Sequence, residues 1–129
     1  MRILIADDDR ILVHMLSSCL RSKGFSVTVA FDAVQAWMAA VRTPPDAIIL
    51  DIQMPGGTGL AVLKQLRSSV KTSQIPVLVL SGSIEPEADE MVKGLGADEY
   101  LPKPVDLPRL YKSLCRLLGM AIDTESKVT

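Results

Sequence analysis

Three consecutive aspartates follow a short apolar run near the start of the chain, in the stretch LIADDDRIL. Two carboxylates about 4 Å apart repel each other by roughly 4 kcal/mol at an effective dielectric constant near 20, so this cluster needs a compensating charge. A divalent cation such as Mg²⁺ supplies that charge, because it prefers hard oxygen ligands. Asp7 and Asp8 are therefore candidate metal ligands, whereas Asp9 is better placed to cap a following helix.

Three more reactive side chains stand at the ends of other apolar runs. The run AIIL is followed by Asp51, the run IPVLVL by Ser81, and Lys103 lies between two prolines just after residues 98–101. A carboxylate can accept a phosphoryl group and form an acyl phosphate. Phosphoryl transfer then needs mainly alignment and charge neutralisation, which a metal ion, a lysine and a hydroxyl group supply.

Five predicted strands alternate with five predicted helices along the chain. Apolar runs predict strands at residues 2–6, 25–30, 47–50, 75–80 and 98–101. Helical spacing of apolar residues follows each strand, with Asp32 and Asp106 placed as caps and Gly24 as a stop. This alternation predicts an α/β fold with one doubly wound, five-stranded parallel sheet and right-handed crossovers. Ligands of such sheets bind at the carboxyl ends of the strands, where the reactive side chains fall.

The helix patterns also predict which side chains are buried. In the first helix the expected buried face consists of Ile11, Leu12, Met15, Leu16, Cys19 and Leu20. In the second helix the expected face consists of Val34, Trp37 and Val41. Methionines at helical spacing are expected in the core or at its margin. His14 is expected on the surface of the first helix.

Length and composition fit one domain with a substantial core. The chain has 129 residues, 48% of them hydrophobic, and its formal net charge of −1 gives no global field that favours nucleic acid or an anionic membrane. No secretory leader and no run of ~20 apolar residues is recognised, which predicts a cytoplasmic protein with reduced cysteines and no membrane contact. Residues 1–121 are expected to form the domain and residues 122–129 a polar tail.

Four motifs in order resemble a receiver domain of the two-component response regulators, over about residues 2–119. They are the acidic pair at residues 7–8, the stretch DIQMPGGTG at residues 51–59, Ser81, and the stretch YLPKP at residues 100–104. Each motif alone is a weak signal, but all four stand at the ends of the right strands. The resemblance implies a flavodoxin-like (βα)5 fold with strand order 2-1-3-4-5.

The resemblance also implies a role for each matching residue. Asp51 corresponds to the phospho-acceptor. Asp7 and Asp8 correspond to the residues that hold Mg²⁺ (or Mn²⁺), together with Asp51 and the backbone carbonyl of Gln53. Lys103 would pair with the phosphoryl group or with Asp51, and its bond to the following proline is expected to be cis.

Two further residues would report the phosphorylation state. Ser81 would bond a phosphoryl oxygen, and Tyr100 would turn inward when Ser81 is drawn toward the phosphate. The output would be a population shift in the surface formed by helix four, strand five and helix five. Gln53 and Ser83 each lie two residues beyond a site residue, so we predict that they tune hydrolysis by shaping the access of water.

The resemblance implies protein partners rather than an external substrate. The expected donor is a sensor histidine kinase or a histidine phosphotransfer protein, and the expected recipient of the signal is an output domain or a downstream protein. Phosphorylation could also drive homodimerisation through the output surface. The domain would catalyse only its own phosphorylation and dephosphorylation, and no direct contact with nucleic acid is expected.

Two other classes of function remain open at this point. An Asp-nucleophile, Mg²⁺-dependent phosphatase would turn over external phosphate esters. Comparable phosphatases carry the nucleophile on strand one, in an Asp-x-Asp pattern, together with a cap domain, whereas this chain has adjacent aspartates and no room for a cap. A docking module with an inert acceptor is the other class, and the intact set of acidic, hydroxyl and lysine residues argues against it.

Overall fold

The chain folds around one parallel sheet, in a computed structural model that describes residues 1–54, 58–82 and 87–120. Its strands are β1 (Arg2–Ala6), β2 (Ser26–Ala30), β3 (Ala47–Asp51), β4 (Val77–Ser81) and β5 (Glu99–Pro102). They lie in the order β2-β1-β3-β4-β5, and every neighbouring pair is parallel. The predicted fold class, strand count and strand order are confirmed.

Strand bounds differ from the predicted ones by one or two residues. β4 begins at Val77 rather than at residue 75, because Pro76 has no N–H to donate to a neighbouring strand. At their other ends β3 and β4 extend by one residue and include Asp51 and Ser81. These two polar residues are therefore held by the sheet itself and not by the loops that follow it.

The helices are α1 (Arg10–Ser22), α2 (Ala33–Arg42), α3 (Gly59–Ser68), α4 (Ala88–Gly94) and α5 (Leu107–Leu117). The side chains of Asp9, Asp32 and Asp106 accept backbone N–H groups in the first turns of α1, α2 and α5, so the predicted caps are confirmed. Gly24 follows α1 with a φ of 95°, which suits glycine as the residue that ends the helix.

Two apolar clusters pack on opposite faces of the sheet. Because successive side chains of a strand point to opposite faces, Leu4 of β1 joins the cluster beneath α2, α3 and α4, while Ile3 and Ile5 join the cluster beneath α1 and α5. Both faces of the central strands are therefore buried, and polar chemistry is left to the strand ends.

The predicted helix faces were partly wrong. Ile11 and Met15 of α1 are 76% and 48% exposed, because the buried face of this helix runs through Val13, Leu16, Ser17 and Leu20. In α2 the buried residues are small, namely Ala33, Ala36 and Ala40. The predicted face of α2 was chosen by its large apolar residues. The structure instead buries alanines, because small side chains let the helix lie closer to the sheet.

Other large side chains of α2 lie outside that face. Val34 is 61% exposed, and Trp37 is half-buried at the margin of the core. The methionines at helical spacing are also more exposed than expected, with Met38 at 48% and Met91 at 47%, because each stands on the outer side of its helix.

Several smaller expectations are met. The two cysteines are free, His14 is exposed on α1, and the bond from Lys103 to Pro104 is cis. Among the described residues, no helix combines the length and the apolar character needed to cross a membrane. The predicted tail at residues 122–129, like Ser83, lies outside the described residues.

Candidate functional site

The strand register brings the first acidic residues and Asp51 together. Ala6 of β1 lies beside Leu50 of β3, so the residues that follow them, Asp7 and Asp51, leave the sheet side by side. On the other side of β3, Asp51 is in register with Leu80, which places Ser81 one residue further along the same rim. The carboxyl ends of three neighbouring strands thus deliver two carboxylates and a hydroxyl group to one place.

Lys103 reaches this rim from the end of β5. Pro102 is in register with Ser81, and the Lys103 backbone N–H donates to the Ser81 carbonyl at 2.8 Å. The Lys103 ammonium lies 2.9 Å from Asp7 Oδ2 and 3.4 Å from Asp51 Oδ2. One cation therefore bridges two carboxylates that are remote in the chain.

Both bridged carboxylates are buried, and each accepts a hydrogen bond from the backbone N–H two residues further along the chain. Asp7 is 0% exposed and Asp51 is 2% exposed. Asp7 Oδ1 accepts the backbone N–H of Asp9 at 2.9 Å, and Asp51 Oδ1 accepts that of Gln53 at 3.0 Å. Each of these bonds fixes the carboxylate so that its second oxygen faces the centre of the site.

Burial raises the pKa of Asp51 from 3.8 to about 6. The Gln53 N–H opposes this rise, the neighbouring Asp7 charge adds to it, and the Lys103 ammonium opposes it again. Burial also disfavours the charge on Lys103, but the hydrogen bond to Asp7 and the Asp51 charge outweigh it, so the pKa of Lys103 lies above its usual value. Lys103 therefore stays an ammonium across the physiological pH range.

The acidic residues form a set that fits a divalent cation. Asp7, Asp8 and Asp51 each offer one carboxylate oxygen, and these three oxygens all lie within 4.8 Å of one another. Asp7 Oδ2 is buried and faces the Lys103 ammonium at 2.9 Å. Asp8 is exposed, so the set is open to solvent on one side. An open, oxygen-only set with a surplus of negative charge is the kind that Mg²⁺ occupies.

The remaining predicted residues surround this centre at different depths. Ser81 is fully buried, and Tyr100 is half-buried on β5, where it packs against the cluster beneath α2, α3 and α4. Gln53 is exposed next to Asp51. Of the two residues predicted to tune hydrolysis, only Gln53 is among those the structure describes.

Gly59 is a residue of the site to which the sequence assigned no role, although it is the last residue of the stretch DIQMPGGTG. It is the first residue of α3, and its N–H donates to the Ile52 carbonyl at 3.0 Å. A Cβ at this position would collide with the backbone carbonyl of Asp51. The signal available in the sequence was the glycine in the stretch GTG, directly after a threonine. In the structure this threonine, Thr58, caps α3, and its side chain accepts the Ala61 N–H at 3.1 Å.

Known proteins are similar to this chain in both sequence and fold. The family model described as the response regulator receiver domain matches residues 3–115. The chain is 43% identical over 120 residues to the response regulator MprA of Mycobacterium leprae, which covers 92% of this chain and 51% of the relative. The chain is 42% identical to MprA of Mycobacterium avium, also over 120 residues, which again cover 92% of this chain and 51% of the relative. The chain thus spans about half the length of the curated relatives it matches.

Solved structures repeat the architecture over nearly their full length. The receiver domain of the Francisella response regulator 1452 superposes with a TM-score of 0.86 at 30% identity, covering 92% of this chain and 96% of that one. The chemotaxis response regulator CheY4 of Vibrio cholerae gives a TM-score of 0.85 at 32% identity, covering 91% and 98%. Because the family model spans most of the chain and the sheet order is that of these receivers, the chain belongs to the response regulator receiver domains of two-component signalling.

Proposed function

We propose that this domain is a phosphorylation switch that accepts a phosphoryl group on Asp51. The observation that carries the proposal is the bridge of Lys103 between two buried carboxylates, at 2.9 Å from Asp7 and 3.4 Å from Asp51. A structural ion pair needs one carboxylate, whereas a second buried negative charge is costly unless it has a function. A nucleophilic carboxylate beside a fixed cation is suited to phosphoryl transfer.

In the proposed reaction an Asp51 oxygen attacks the phosphorus of a phosphohistidine. A bond forms between that oxygen and phosphorus, the bond from phosphorus to the imidazole nitrogen breaks, and its electron pair stays on the imidazole. The N–H of Gln53 holds Asp51 in one orientation for an in-line approach. The Lys103 ammonium stands where it can neutralise charge on the transferred oxygens. The donor is a sensor histidine kinase or a histidine phosphotransfer protein.

Asp7, Asp8 and Asp51, with the backbone carbonyl of Gln53, would hold Mg²⁺ or Mn²⁺ at this site. When bound, such a cation neutralises the carboxylates and the phosphoryl oxygens. Asp7 presents a buried oxygen toward the centre, and Asp8 lies at the solvent side, where it leaves room for water ligands. The repulsion among the three carboxylates supports this assignment, because a bound cation relieves it.

The proposed output lies in α4, β5 and α5. Ser81 would bond a phosphoryl oxygen, and Tyr100, half-buried on β5, would turn further into the core when Ser81 moves. Helix α4 has seven residues, of which Ala88 and Val92 are buried, so few contacts resist a change in its position. A downstream output domain, another protein or a second copy of the chain would read the altered surface.

Two smaller parts of the proposal concern the hydrolysis of the phosphorylated state and the bounds of the domain. Gln53 and Ser83 would set the lifetime of the phosphorylated state by controlling how water reaches it. The proposed domain comprises residues 1–121, followed by a polar tail at residues 122–129.

The decisive experiment is intact mass spectrometry after treatment with acetyl phosphate and Mg²⁺. We expect the mass of one phosphoryl group on the wild-type chain and none on Asp51→Asn. Asp32→Asn is the matched control, because Asp32 also follows a strand, is not one of the three clustered carboxylates, and keeps its capping role as asparagine. It should be phosphorylated like the wild type.

The same variants separate the other two classes of function. Phosphorylation of Asp51→Asn to the wild-type level would contradict the proposed acceptor, and an unmodified wild type that still binds a partner would favour a docking module. Steady turnover of a generic phosphate ester that survives loss of Asp51 but not loss of Asp7 would indicate a phosphatase. No feature of the described residues favours either alternative.

A further inference from the structure

A shallow groove runs between α1 and the edge strand β2, and none of the acidic residues of the strand-end site nor Lys103 lines it. Its volume is about 310 Å³, and its floor includes Val13, Val29 and Phe31. β2 stands at one end of the sheet order, with β1 as its one neighbouring strand among the described residues. An edge strand of this kind accepts an additional extended segment more readily than any other part of a sheet.

Three basic side chains of α1 line this groove along one helical stripe: Arg10, His14 and Arg21. Arg10 and Arg21 lie about 16 Å apart along the helix axis at 1.5 Å per residue. Among the described residues the ion pairs are formed by other groups, and none of these three has a carboxylate partner. The groove therefore carries positive charge that the described chain does not neutralise.

The two arginines are held in place at the ends of the groove. The Arg10 guanidinium lies 4.0 Å above the centroid of the Phe31 ring. Arg21 donates to the Val27 carbonyl at 3.3 Å, which ties it to β2. Neither contact neutralises the charge, so both guanidinium groups keep donors for an anionic ligand.

Ser17 is a second, independent indication of a ligand. It lines the groove midway along the stripe, is only 5% exposed, and its hydroxyl has no hydrogen-bond partner among the described residues. A buried hydroxyl without a partner is unfavourable, and native proteins almost always satisfy such a group. A polar group that enters the groove would satisfy it.

We propose that this groove binds an extended, acidic segment of a partner protein. Carboxylates of the segment would pair with the basic stripe, a polar group would meet Ser17, and apolar side chains would cover Val29 and its neighbours. An extended chain covers the 16 Å stripe in about five residues at 3.3 Å per residue, whereas one small anion would reach a single basic group. The proposal does not depend on phosphorylation, because none of these side chains belongs to the strand-end site.

The test uses a fluorescein-labelled peptide of alternating glutamate and valine, about seven residues long and so able to span the stripe. Binding is followed by fluorescence polarisation and by backbone chemical shifts of the whole chain. We expect shifts confined to α1 and β2, and an affinity that falls as salt is raised. Arg21→Glu should weaken binding at least about tenfold, which corresponds to about 1.4 kcal/mol.

Arg42→Glu is the matched control, because Arg42 is also an exposed arginine in the last turn of a helix. It should leave the affinity within about twofold of the wild type. Asp51→Asn should also bind normally, so a failure of the proposed phosphorylation would not affect this result. If Arg21→Glu does not fold, His14→Glu takes its place, since His14 is exposed and forms no bond in the described chain.

Three results would overturn the proposal. Shifts that map outside α1 and β2 would place the peptide elsewhere. Equal weakening by Arg21→Glu and Arg42→Glu would indicate nonspecific attraction. Inorganic phosphate that produces the same shifts at the same concentration would show a site for small anions and not for an acidic segment.

Discussion

Asp7 and Asp51 hold their carboxylates in the same way. In each residue Oδ1 accepts the N–H of the residue two positions later, and Oδ2 faces the same Lys103 ammonium. The two acids therefore form a matched pair around one cation. Because the pair comes from two adjacent strands of a rigid sheet, the site is largely organised before any ligand arrives.

Removal of the shared cation should destabilise the metal-free protein. Lys103→Met leaves two buried carboxylates without a positive neighbour, so we expect the free energy of unfolding to fall by about 1–3 kcal/mol. Urea unfolding in EDTA measures this loss. Added Mg²⁺ should reduce the difference, because a bound cation replaces part of the missing charge.

Lys112→Met is the control for this prediction, since Lys112 is an exposed lysine on α5. It should change the free energy of unfolding by less than about 0.5 kcal/mol. Equal stability of Lys103→Met and the wild type in EDTA would show that the ion pairs contribute nothing to the fold.

Gly59→Ala should disturb the site through the backbone of Asp51. A methyl group at position 59 meets the Asp51 carbonyl and the Ile52 backbone, neither of which can move without disturbing β3. We expect a loss of about 2 kcal/mol or more in the free energy of unfolding, together with slower phosphorylation. Urea unfolding and intact mass measure the two effects.

Gly94→Ala is the matched control for Gly59→Ala. Gly94 is the last residue of α4, and an added Cβ there would have no heavy atom within 4 Å. Alanine should therefore stabilise the protein slightly, by up to about 1 kcal/mol. A Gly59→Ala protein as stable as Gly94→Ala would contradict the close approach of α3 to Asp51.

The sequence predicted the parts of this molecule that depend on local pattern. Alternating strands and helices were enough to infer a doubly wound sheet, and a parallel sheet brings its carboxyl strand ends to one edge. Asp7, Asp51 and Lys103 could thus be assigned to one site before any distance was known. The contact between α3 and the Asp51 backbone could not be predicted in this way. It depends on how closely the start of a helix approaches a strand end, which apolar periodicity does not specify.

Arg67 is a second case in which long-range contacts escaped prediction. Its guanidinium donates to the carbonyls of Ile75 and Gly96, both at 2.8 Å, and to Asp98 Oδ2 at 3.0 Å. These contacts tie the end of α3 to the segments before β4 and β5. Helix periodicity predicts which side of a helix is polar, but it does not tell which distant carbonyls a long side chain reaches.

Stability of the metal-free protein should depend on pH through Asp51. Its pKa is higher in the folded protein, about 6, than the ordinary value of 3.8. The folded state therefore binds the proton more tightly, so this residue favours folding below pH about 4, and the benefit is lost as the pH rises through 6. At pH 7.5 the ionised side chain should cost the fold about 3 kcal/mol.

Asp51→Asn removes the titrating carboxyl group, so the pH dependence of the free energy of unfolding should change. In urea unfolding with EDTA, the variant should be more stable than the wild type by about 1–3 kcal/mol at pH 7.5, with the gain vanishing near pH 4. Asp32→Asn, which keeps the cap of α2, should show no such gain in stability at pH 7.5. A constant difference between Asp51→Asn and the wild type from pH 4 to 7.5 would refute the raised pKa.

Asp8 should matter for the metal ion and not for the metal-free fold. It is exposed and is the third member of the acidic set with Asp7 and Asp51. Asp8→Asn removes one negative charge from a repelling group, so stability in EDTA should stay equal or rise slightly. In the wild type, Mg²⁺ at about 100 times its dissociation constant should add about 2.7 kcal/mol to the free energy of unfolding.

Most of that Mg²⁺-dependent gain should be absent from Asp8→Asn. Asp9→Asn is the control, because Asp9 is the adjacent carboxylate but caps α1, a role that asparagine performs equally well. Asp9→Asn should keep the full response in a Mg²⁺ titration followed by urea unfolding. Since this readout needs no phosphorylation, an equal response of Asp8→Asn and Asp9→Asn would exclude Asp8 as a ligand even if Asp51 is the acceptor.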